Sequence, residues 1–356
     1  MTFNEILAIM IEKEVSDLFI RVGSYLKGRV YTEVVTLKDH LFNQDDIDKI
    51  VFEMAGKAGK DILQQRKSYE FATTYEGMWR FRVGIFYQRN TLAIVIRKIN
   101  LNINTFEELS LPAKVLKQFC HERRGLILLT GTTGSGKSTA IASMIEYINQ
   151  NFRRHILTIE EPIEFTFVDK KSIINQREIG KDVFSYADAL QQFTIHSPDV
   201  IFVGNIRDPK TCHAALTAAE TGVLVLSTVH TVDAASTVER IVNFYPPEQH
   251  HFVFNQLSTL LKGVISLRLI PRADGEGLIP AYESMALSPT VSRLIRENKL
   301  WEVPKYIATG DIYGMKAFNQ CLIELVEAKK ISVEMAMEHS DKKDELSLHL
   351  RNKEMM

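Results

Sequence analysis

The sequence predicts an α/β protein with a second, smaller α+β domain at its N-terminus, and two observations carry this prediction. A chain of 356 residues is long enough to form two domains. From Gly125 onward, short apolar runs alternate with helix-like segments, a pattern typical of a parallel sheet covered by helices. The strand-like runs are Leu126–Leu129, His155–Ile159, Val200–Val203 and Val223–Thr228.

The region before Gly125 carries weaker signals, which together indicate a small mixed domain. Apolar residues recur at helical spacing in the opening segment, at Phe3, Ile6, Leu7, Met10 and Ile11. Trp79–Phe86 alternates large apolar with small or charged residues, as a half-buried strand does, and Leu92–Ile96 follows as its hairpin partner. Residues 100–112 are polar and end in Leu-Pro, which predicts a linker. The predicted domains are therefore residues 1–99 and residues 113–356.

Helix boundaries are also readable in the larger domain. Asp208 and Pro209 have the residue types of a helix N-cap and first helical position, and Gly222 stands where that helix must stop. The region after Pro246 is predicted to be mostly helical and to end in a charged tail, Asp341–Lys353.

The composition excludes several classes of protein. Lysine plus arginine number 43 against 44 aspartate plus glutamate, so a strongly basic, nucleic-acid-binding protein is not indicated. No apolar run is long enough to span a bilayer, and Met1–Lys13 lacks the apolar core of a signal peptide. Cys120, Cys212 and Cys321 stand alone and form no metal-ligand pair. We therefore expect a cytoplasmic protein that reaches any membrane through a partner.

The most specific pattern is a glycine-rich loop that fits the Walker A motif G-x-x-x-x-G-K-[ST]. It follows the strand Leu126–Leu129 and opens a helix, so its backbone N–H groups can point at phosphate oxygens at the positive end of that helix. The motif predicts that Lys137 reaches the β- and γ-phosphates of ATP and that Ser138 ligates Mg²⁺. The predicted nucleotide-binding residues of this loop are Gly131, Thr132, Thr133, Gly134, Ser135, Gly136, Lys137, Ser138 and Thr139.

Two later segments supply polar side chains that such a loop needs for catalysis. The strand at His155–Ile159 is followed by three carboxylates, Glu160, Glu161 and Glu164. The apolar strand Val200–Val203 has the form of a Walker B segment and is followed by Gly204 and Asn205. An acidic loop without a catalytic role remains the alternative interpretation of the glutamate cluster.

These segments resemble the type IV pilus retraction ATPases (PilT and PilU), within the wider group of secretion-type P-loop ATPases. The similar stretches are Thr158–Phe165, Leu216–Gly222, Ser227–Thr231 and Gly314–Phe318, and Ser16–Ile20 and Phe86–Asn90 resemble PilU more than PilT. The resemblance implies a RecA-like ATPase core with a PAS-like N-terminal domain. It also implies a homo-hexamer, hetero-assembly with a PilT paralogue, an inner-membrane pilus platform protein as partner, and a peripheral location at the inner membrane.

The resemblance also implies roles for residues outside the Walker A loop. Glu160, Glu161 and Glu164 match the acidic box of the family, and His230 matches its histidine box, which senses the nucleotide site. Arg82 and Arg97 lie in N-terminal strands that present arginines to bound ATP in this family. Charges on a solvated strand face are the alternative interpretation of these arginines.

One departure from the family pattern bears on catalysis. The Walker B strand of the family ends Gly-Glu, whereas this chain has Asn205, and a neutral amide can hold a water but cannot take its proton. Related departures are Gln191, Ile195, Val223 and Leu267. We expect slow or absent intrinsic hydrolysis, unless Glu160 or Glu161 substitutes as the base.

Three functions stay open on the sequence. The first is a PilU-like ATPase that powers or assists pilus retraction and twitching motility. The second is a non-catalytic, ATP-binding structural subunit that supports an active PilT ring. The third is a pilus-extension or type II secretion ATPase, which the absence of a four-cysteine zinc insertion disfavours.

Overall fold

The computed structural model describes residues 1–13, 15–30, 33–76, 79–99 and 103–353 of the chain. The chain forms two compact units, residues 1–102 and residues 103–356. The N-terminal unit contains a six-stranded antiparallel sheet, and the C-terminal unit contains a seven-stranded, mostly parallel sheet. Helices accompany both sheets, so the predicted α/β class with a smaller α+β part is confirmed.

The N-terminal unit packs two helices on its sheet, in which the strands lie in the order β3-β2-β1-β6-β5-β4. Its elements are α1 (Phe3–Glu12), β1 (Asp17–Arg21), β2 (Tyr25–Val30), β3 (Glu33–Leu41), α2 (Gln44–Arg66), β4 (Ser68–Tyr75), β5 (Trp79–Gln88) and β6 (Thr91–Ile99).

Local sequence explains the parts of this unit that were predicted. The opening helix is confirmed as α1, and it begins with a reciprocal cap in which the side chains of Thr2 and Glu5 each accept a backbone N–H of the other. The predicted hairpin is β5 and β6, joined at Arg89 and Asn90, both of which have positive φ (47° and 62°). Positive φ at both turn residues matches the right-handed twist of the strands. Strands β1 to β4 and helix α2 were not predicted, although Ile47, Ile50, Val51 and Met54 of α2 do recur at helical spacing.

The C-terminal unit alternates strands and helices as its sequence predicts. Its elements are α3 (Ala113–His121), β7 (Gly125–Thr130), α4 (Lys137–Asn151), β8 (His155–Glu160), β9 (Ile173–Glu178), α5 (Tyr186–Gln191), α6 (Phe193–His196), β10 (Val200–Val203), α7 (Pro209–Glu220), β11 (Leu224–Val229), α8 (Ala234–Val242), α9 (His250–Leu260), β12 (Leu261–Pro271), β13 (Leu278–Ala286), α10 (Pro289–Arg296), α11 (Val303–Ala308), α12 (Phe318–Glu327), α13 (Val333–His339) and α14 (Lys343–Asn352).

The sheet of this unit has the strand order β13-β12-β7-β11-β10-β8-β9. Neighbouring strands from β12 to β9 are parallel, and β13 runs antiparallel to β12. The four predicted strands are β7, β8, β10 and β11, and they are buried along nearly their whole length. Successive side chains of these strands enter two separate cores, one on each face of the sheet.

The prediction for the region after Pro246 was incomplete. The region is mostly helical, but β12 and β13 extend the sheet beyond β7. Leu261–Pro271 is interrupted by Lys262, Ser266 and Arg268 and shows no strict alternation, so its pairing with β7 decides its structure. The charged tail is largely the helix α14, with Leu346 and Leu350 buried.

The predicted linker only partly coincides with the boundary between the units. Residues 100–102 lie outside the described residues. Residues 103–112 belong to the C-terminal unit, where Phe106 is buried in the core and Ser143 Oγ donates a hydrogen bond to the Asn104 carbonyl at 2.7 Å. The helix boundaries predicted at Asp208 and Gly222 match α7. The Asp208 side chain caps the start of this helix by accepting Thr211 N at 2.9 Å.

No helix in the described ranges combines the length and the apolar character that spanning a bilayer requires.

The close approach of α3 to β12 generates a stability prediction. A Cβ built on Gly263 would lie 2.0 Å from Phe119 Cζ, and the Phe119 ring is buried. Gly263→Ala should therefore overpack this contact and lower stability by about 1–3 kcal/mol, measured as a fall in Tm by calorimetry. Gly84→Ala is the control, because the nearest atom to its Cβ lies 4.0 Å away. A Gly263→Ala chain that melts like the wild type would contradict the prediction.

Candidate functional site

The parallel register of the C-terminal sheet brings four loops to one edge. Thr130 at the end of β7 pairs with Val229 at the end of β11. Val203 at the end of β10 lies opposite both Ser227 of β11 and Ile159 of β8. Because parallel strands end on the same side, the segments that follow them share one edge, which is where ligands bind in such sheets. These segments contain most of the predicted site residues.

The glycine-rich loop connects β7 to α4 and depends on backbone conformations that only glycine adopts readily. Gly131, Gly134 and Gly136 have φ values of 140°, 79° and 92°. A Cβ on Gly131 would lie 2.4 Å from both the Leu267 carbonyl oxygen and Ser135 Oγ. This close approach curls the loop at the N-terminus of α4, where backbone N–H groups and the helix dipole favour phosphate.

Lys137 is the first residue of α4 and is buried, with 8% of its surface exposed. Its Nζ atom donates to the backbone carbonyls of Gly131 at 2.8 Å and Thr132 at 2.7 Å. Burial lowers the pKa of the ammonium, and the Glu164 carboxylate acts in the opposite direction. The loop therefore holds a charged donor at its own centre. Ser138 follows on the exposed side of the first helical turn, and Thr139 is half-buried.

Glu160 ends β8 and is buried at the same edge. Its Oε1 atom accepts hydrogen bonds from Thr158 Oγ1 at 2.6 Å and from Gln176 Nε2 at 3.2 Å. Burial raises the pKa of this carboxyl to about 7, against the opposing hydrogen bonds. A carboxylate with a pKa near neutrality can accept a proton under physiological conditions.

The other two glutamates of the predicted cluster have different surroundings. Glu161 is exposed and forms an ion pair with Arg207 Nη2 at 2.7 Å. Glu164 lies close enough to Lys137 and Glu160 to influence the pKa of both. Of the three glutamates, Glu164 therefore lies within electrostatic range of the loop lysine, Glu160 is buried, and Glu161 is exposed in an ion pair.

Asn205 follows β10 on backbone that is held by its neighbours. Gly204 N donates to the Ile159 carbonyl at 2.8 Å, and Thr228 Oγ1 donates to the Gly204 carbonyl at 2.7 Å. Asn205 Oδ1 is buried, and no described residue donates a hydrogen bond to it. The carboxamide therefore lies at the shared edge with an unsatisfied acceptor.

His230 directly follows β11 and is exposed. Partial burial of its ring lowers the pKa, the nearby Lys137 charge lowers it further, and the backbone of Gly131 opposes both. The histidine is thus within electrostatic range of the glycine-rich loop and is favoured in its neutral form.

The two predicted arginines belong to the N-terminal unit. Arg82 on β5 and Arg97 on β6 are direct cross-strand partners. Arg82 forms an ion pair with Glu70, and Arg97 Nε contacts Asp17 Oδ1 at 2.7 Å. The structure brings the two arginines together, and their contact with ATP stays a prediction.

A pocket of about 290 Å³ adjoins the glycine-rich loop. Ser135, Gly136 and Thr139 line it on the side of the loop, and Glu108, Ser110 and Arg272 contribute further polar groups. The apolar lining is formed by Leu109, Leu111, Leu267, Leu269, Leu278, Ile279 and Pro280. A flat heteroaromatic base attached to phosphates in the loop fits such a pocket. Sequence reasoning missed this pocket, because its walls come from three distant segments.

Sequence reasoning also missed the residues that hold the acidic cluster. Gln176 on β9 donates to both Glu160 Oε1 and the Phe165 carbonyl, and so ties the loop after β8 to the edge strand. Arg207, which pairs with Glu161, was likewise not singled out. The only signal in the sequence was their polar character beside apolar strands.

The described ranges contain no group of three or more His, Cys, Asp or Glu side chains that could hold an ion by themselves. Mg²⁺ usually takes few protein ligands and the remainder from phosphates and waters. The Ser138 hydroxyl beside the phosphate loop, with carboxylates at the same edge, fits that mode of binding.

Comparison with known proteins gives matches along almost the whole chain. The family model for type II/IV secretion system proteins matches residues 55–345. The chain is 35% identical to the type IV pilus ATPase PilU of Pseudomonas aeruginosa, with 99% of this chain and 92% of that relative covered. It is 37% identical to the type IV pilus retraction ATPase PilT of the same organism, with 95% and 98% covered. A crystal structure of the pilus retraction motor PilT with bound ADP has a TM-score of 0.91 and 42% identity, with 98% and 99% covered.

The buried lysine of the loop generates a binding prediction. Lys137→Ala removes a charged donor from the phosphate site, and charge-assisted hydrogen bonds contribute about 1.5–3 kcal/mol. We expect ATP affinity to fall at least tenfold, by about the energy of one such bond, measured by titration with a fluorescent ATP analogue. Lys210→Ala is the control, because Lys210 is exposed on α7. Equal affinity of the Lys137→Ala chain and the wild type would contradict the assignment of the phosphate site.

Proposed function

The chain belongs to the type II/IV secretion system protein family, and we propose that it is a ring-forming ATPase that powers or assists type IV pilus retraction. The observation that carries the proposal is the meeting of a buried phosphate-loop lysine, Lys137, and a buried carboxylate, Glu160, at one sheet edge. The similarity to PilT and PilU along nearly the whole chain supports the choice of pilus retraction.

The proposed binding mode follows from the surroundings of the loop. Backbone N–H groups of residues 131–136 and the Lys137 ammonium bind the phosphates, and the apolar pocket beside Gly136 takes the base. On binding, Lys137 exchanges the carbonyls of Gly131 and Thr132 for phosphate oxygens. Ser138 is the proposed ligand for Mg²⁺, which supplies charge neutralisation to the β- and γ-phosphates.

The proposed chemistry uses Glu160 as the general base. The oxygen of a water bonds to the γ-phosphorus while the bond from that phosphorus to the bridging oxygen breaks, and one proton of the water passes to Glu160. ADP and phosphate are the products. The raised pKa of Glu160, about 7, suits a proton acceptor at neutral pH. In this scheme Asn205 only holds the water, because a carboxamide cannot take its proton.

The ring and its partners form the second part of the proposal. The chain assembles as a homo-hexamer, and a paralogous PilT ring and the inner-membrane platform protein of the pilus are its partners. Different affinities of the ring conformations for ATP and ADP would convert hydrolysis into movement of the platform protein. The similarity to a pilus retraction motor over both units supports this assignment.

One observation favours a second candidate function. Asn205 occupies the edge position where a carboxylate could have served as base, and its carboxamide is not a proton acceptor. The chain would then bind ATP without turnover and support an active PilT ring as a structural subunit.

The two candidates differ in their expected catalysis. We expect the wild type to release phosphate at a measurable steady-state rate. This rate should fall as the pH drops below about 7, because Glu160 becomes protonated. Glu160→Gln should lower the rate about 10²-fold or more. Asn205→Glu should raise the rate, because it adds a second carboxylate. Glu146→Gln is the control, since Glu146 is a buried carboxylate later in α4 that pairs with Lys170. ATP binding by the wild type without turnover would favour the structural subunit.

The assembly is tested separately. With saturating ATP and Mg²⁺, light scattering should give a mass about six times that of the 40.6 kDa chain. The Lys137→Ala chain shows whether assembly depends on the bound nucleotide. A monomer under these conditions would contradict the ring.

A further inference from the structure

Tyr186 lies beside the site and has no role in the reaction described above. It is the first residue of α5, whose N-cap Ser185 accepts Asp188 N at 3.1 Å and donates to Asp188 Oδ2 at 2.6 Å. The Tyr186 ring packs into the larger core of the C-terminal unit, and the residue is 5% exposed. A helix cap and the core packing therefore fix the position of its hydroxyl.

The hydroxyl end of Tyr186 lies against Gly204. A Cβ built on Gly204 would lie 2.9 Å from Tyr186 Oη and 3.2 Å from the Ile159 carbonyl oxygen, so a side chain at this position would displace the hydroxyl. Gly204 is itself held on both sides, by its hydrogen bonds to Ile159 and Thr228. The hydroxyl thus lies against the rigid residue that precedes Asn205.

Asn205 has the complementary requirement. Its Oδ1 atom is buried and receives no hydrogen bond from the described residues, which is unfavourable for an amide oxygen. A phenol hydroxyl is a suitable donor for such an acceptor. No hydrogen bond joins Asn205 Oδ1 to the Tyr186 hydroxyl in the structure, so the proposed contact requires the Asn205 side chain to rotate on its fixed backbone.

The charges near Tyr186 keep its proton in place. Burial raises the pKa of the phenol, and the carboxylates of Glu161, Glu160 and Glu164 raise it further against the opposing charge of Arg207. The hydroxyl is therefore a permanent donor at neutral pH, and it lies within electrostatic range of the whole acidic cluster.

We propose that Tyr186 is a positioning residue for hydrolysis: after rotation of the Asn205 side chain, its hydroxyl donates a hydrogen bond to Asn205 Oδ1 and so turns the carboxamide N–H₂ group toward the attacking water. The inference rests on the proposed ATPase function. Tyr186 acts through Asn205 and touches neither the water nor the nucleotide. The proton of the water passes to Glu160 as before, and the tyrosine–asparagine pair contributes only orientation.

A double-mutant cycle tests this pair. Tyr186→Phe removes the hydroxyl and keeps the ring, and it should lower kcat about tenfold, the effect of one lost hydrogen bond. KM for ATP and the Tm should stay close to those of the wild type. Asn205→Ala removes the acceptor, and in that background Tyr186→Phe should change kcat less than about twofold. Steady-state phosphate release by the four chains measures the coupling.

Tyr245→Phe is the matched control. It removes another buried hydroxyl, packed against the same core, and should leave kcat unchanged. If Tyr186→Phe turns over like the wild type, or if its effect is additive with Asn205→Ala, the inference fails and the ATPase proposal stands. A wild-type chain that binds ATP without turnover overturns both.

Discussion

The candidate site depends on the hydrogen-bond register of four parallel strands. Each ladder fixes where one strand ends relative to the next, so β7, β8, β10 and β11 must end at the same edge. A shift of register would move every following loop and would turn buried strand residues toward the wrong face. The glycine-rich loop, the acidic cluster, Asn205 and His230 are far apart in the chain and meet only because of this constraint.

The same edge contains ionisable groups that the fold keeps partly out of water. Lys137 and Glu160 are both buried, and burial shifts the pKa of each toward its neutral form. Hydrogen bonds offset the free-energy cost of burying these groups. The lysine donates to backbone carbonyls, and the glutamate accepts from Thr158 and Gln176. Strongly shifted pKa values of this kind cluster at functional sites.

Asn205 shows how a residue type and its surroundings act together. The amide cannot serve as a base, but its position on rigid backbone between β8 and β11 suits a group that holds a water. In the proposed mechanism the proton acceptor and the water-holding group are two different residues, Glu160 and Asn205. Division of these tasks makes the orientation of the carboxamide important, and Tyr186 lies where it can influence that orientation.

Local chemistry in the sequence specifies one part of this structure. The glycine spacing of residues 131–136, the cap at Asp208 and the apolar runs of β7, β8, β10 and β11 are each encoded within a few residues, so their structures were predictable. The remaining features depend on contacts between segments that are distant in the chain. Strand β12 exists because it pairs with β7, and Gln176, Arg207 and Tyr186 join the site through partners that are distant in the chain. No local pattern records such contacts, because their free energy comes from surfaces that meet only after the chain has folded.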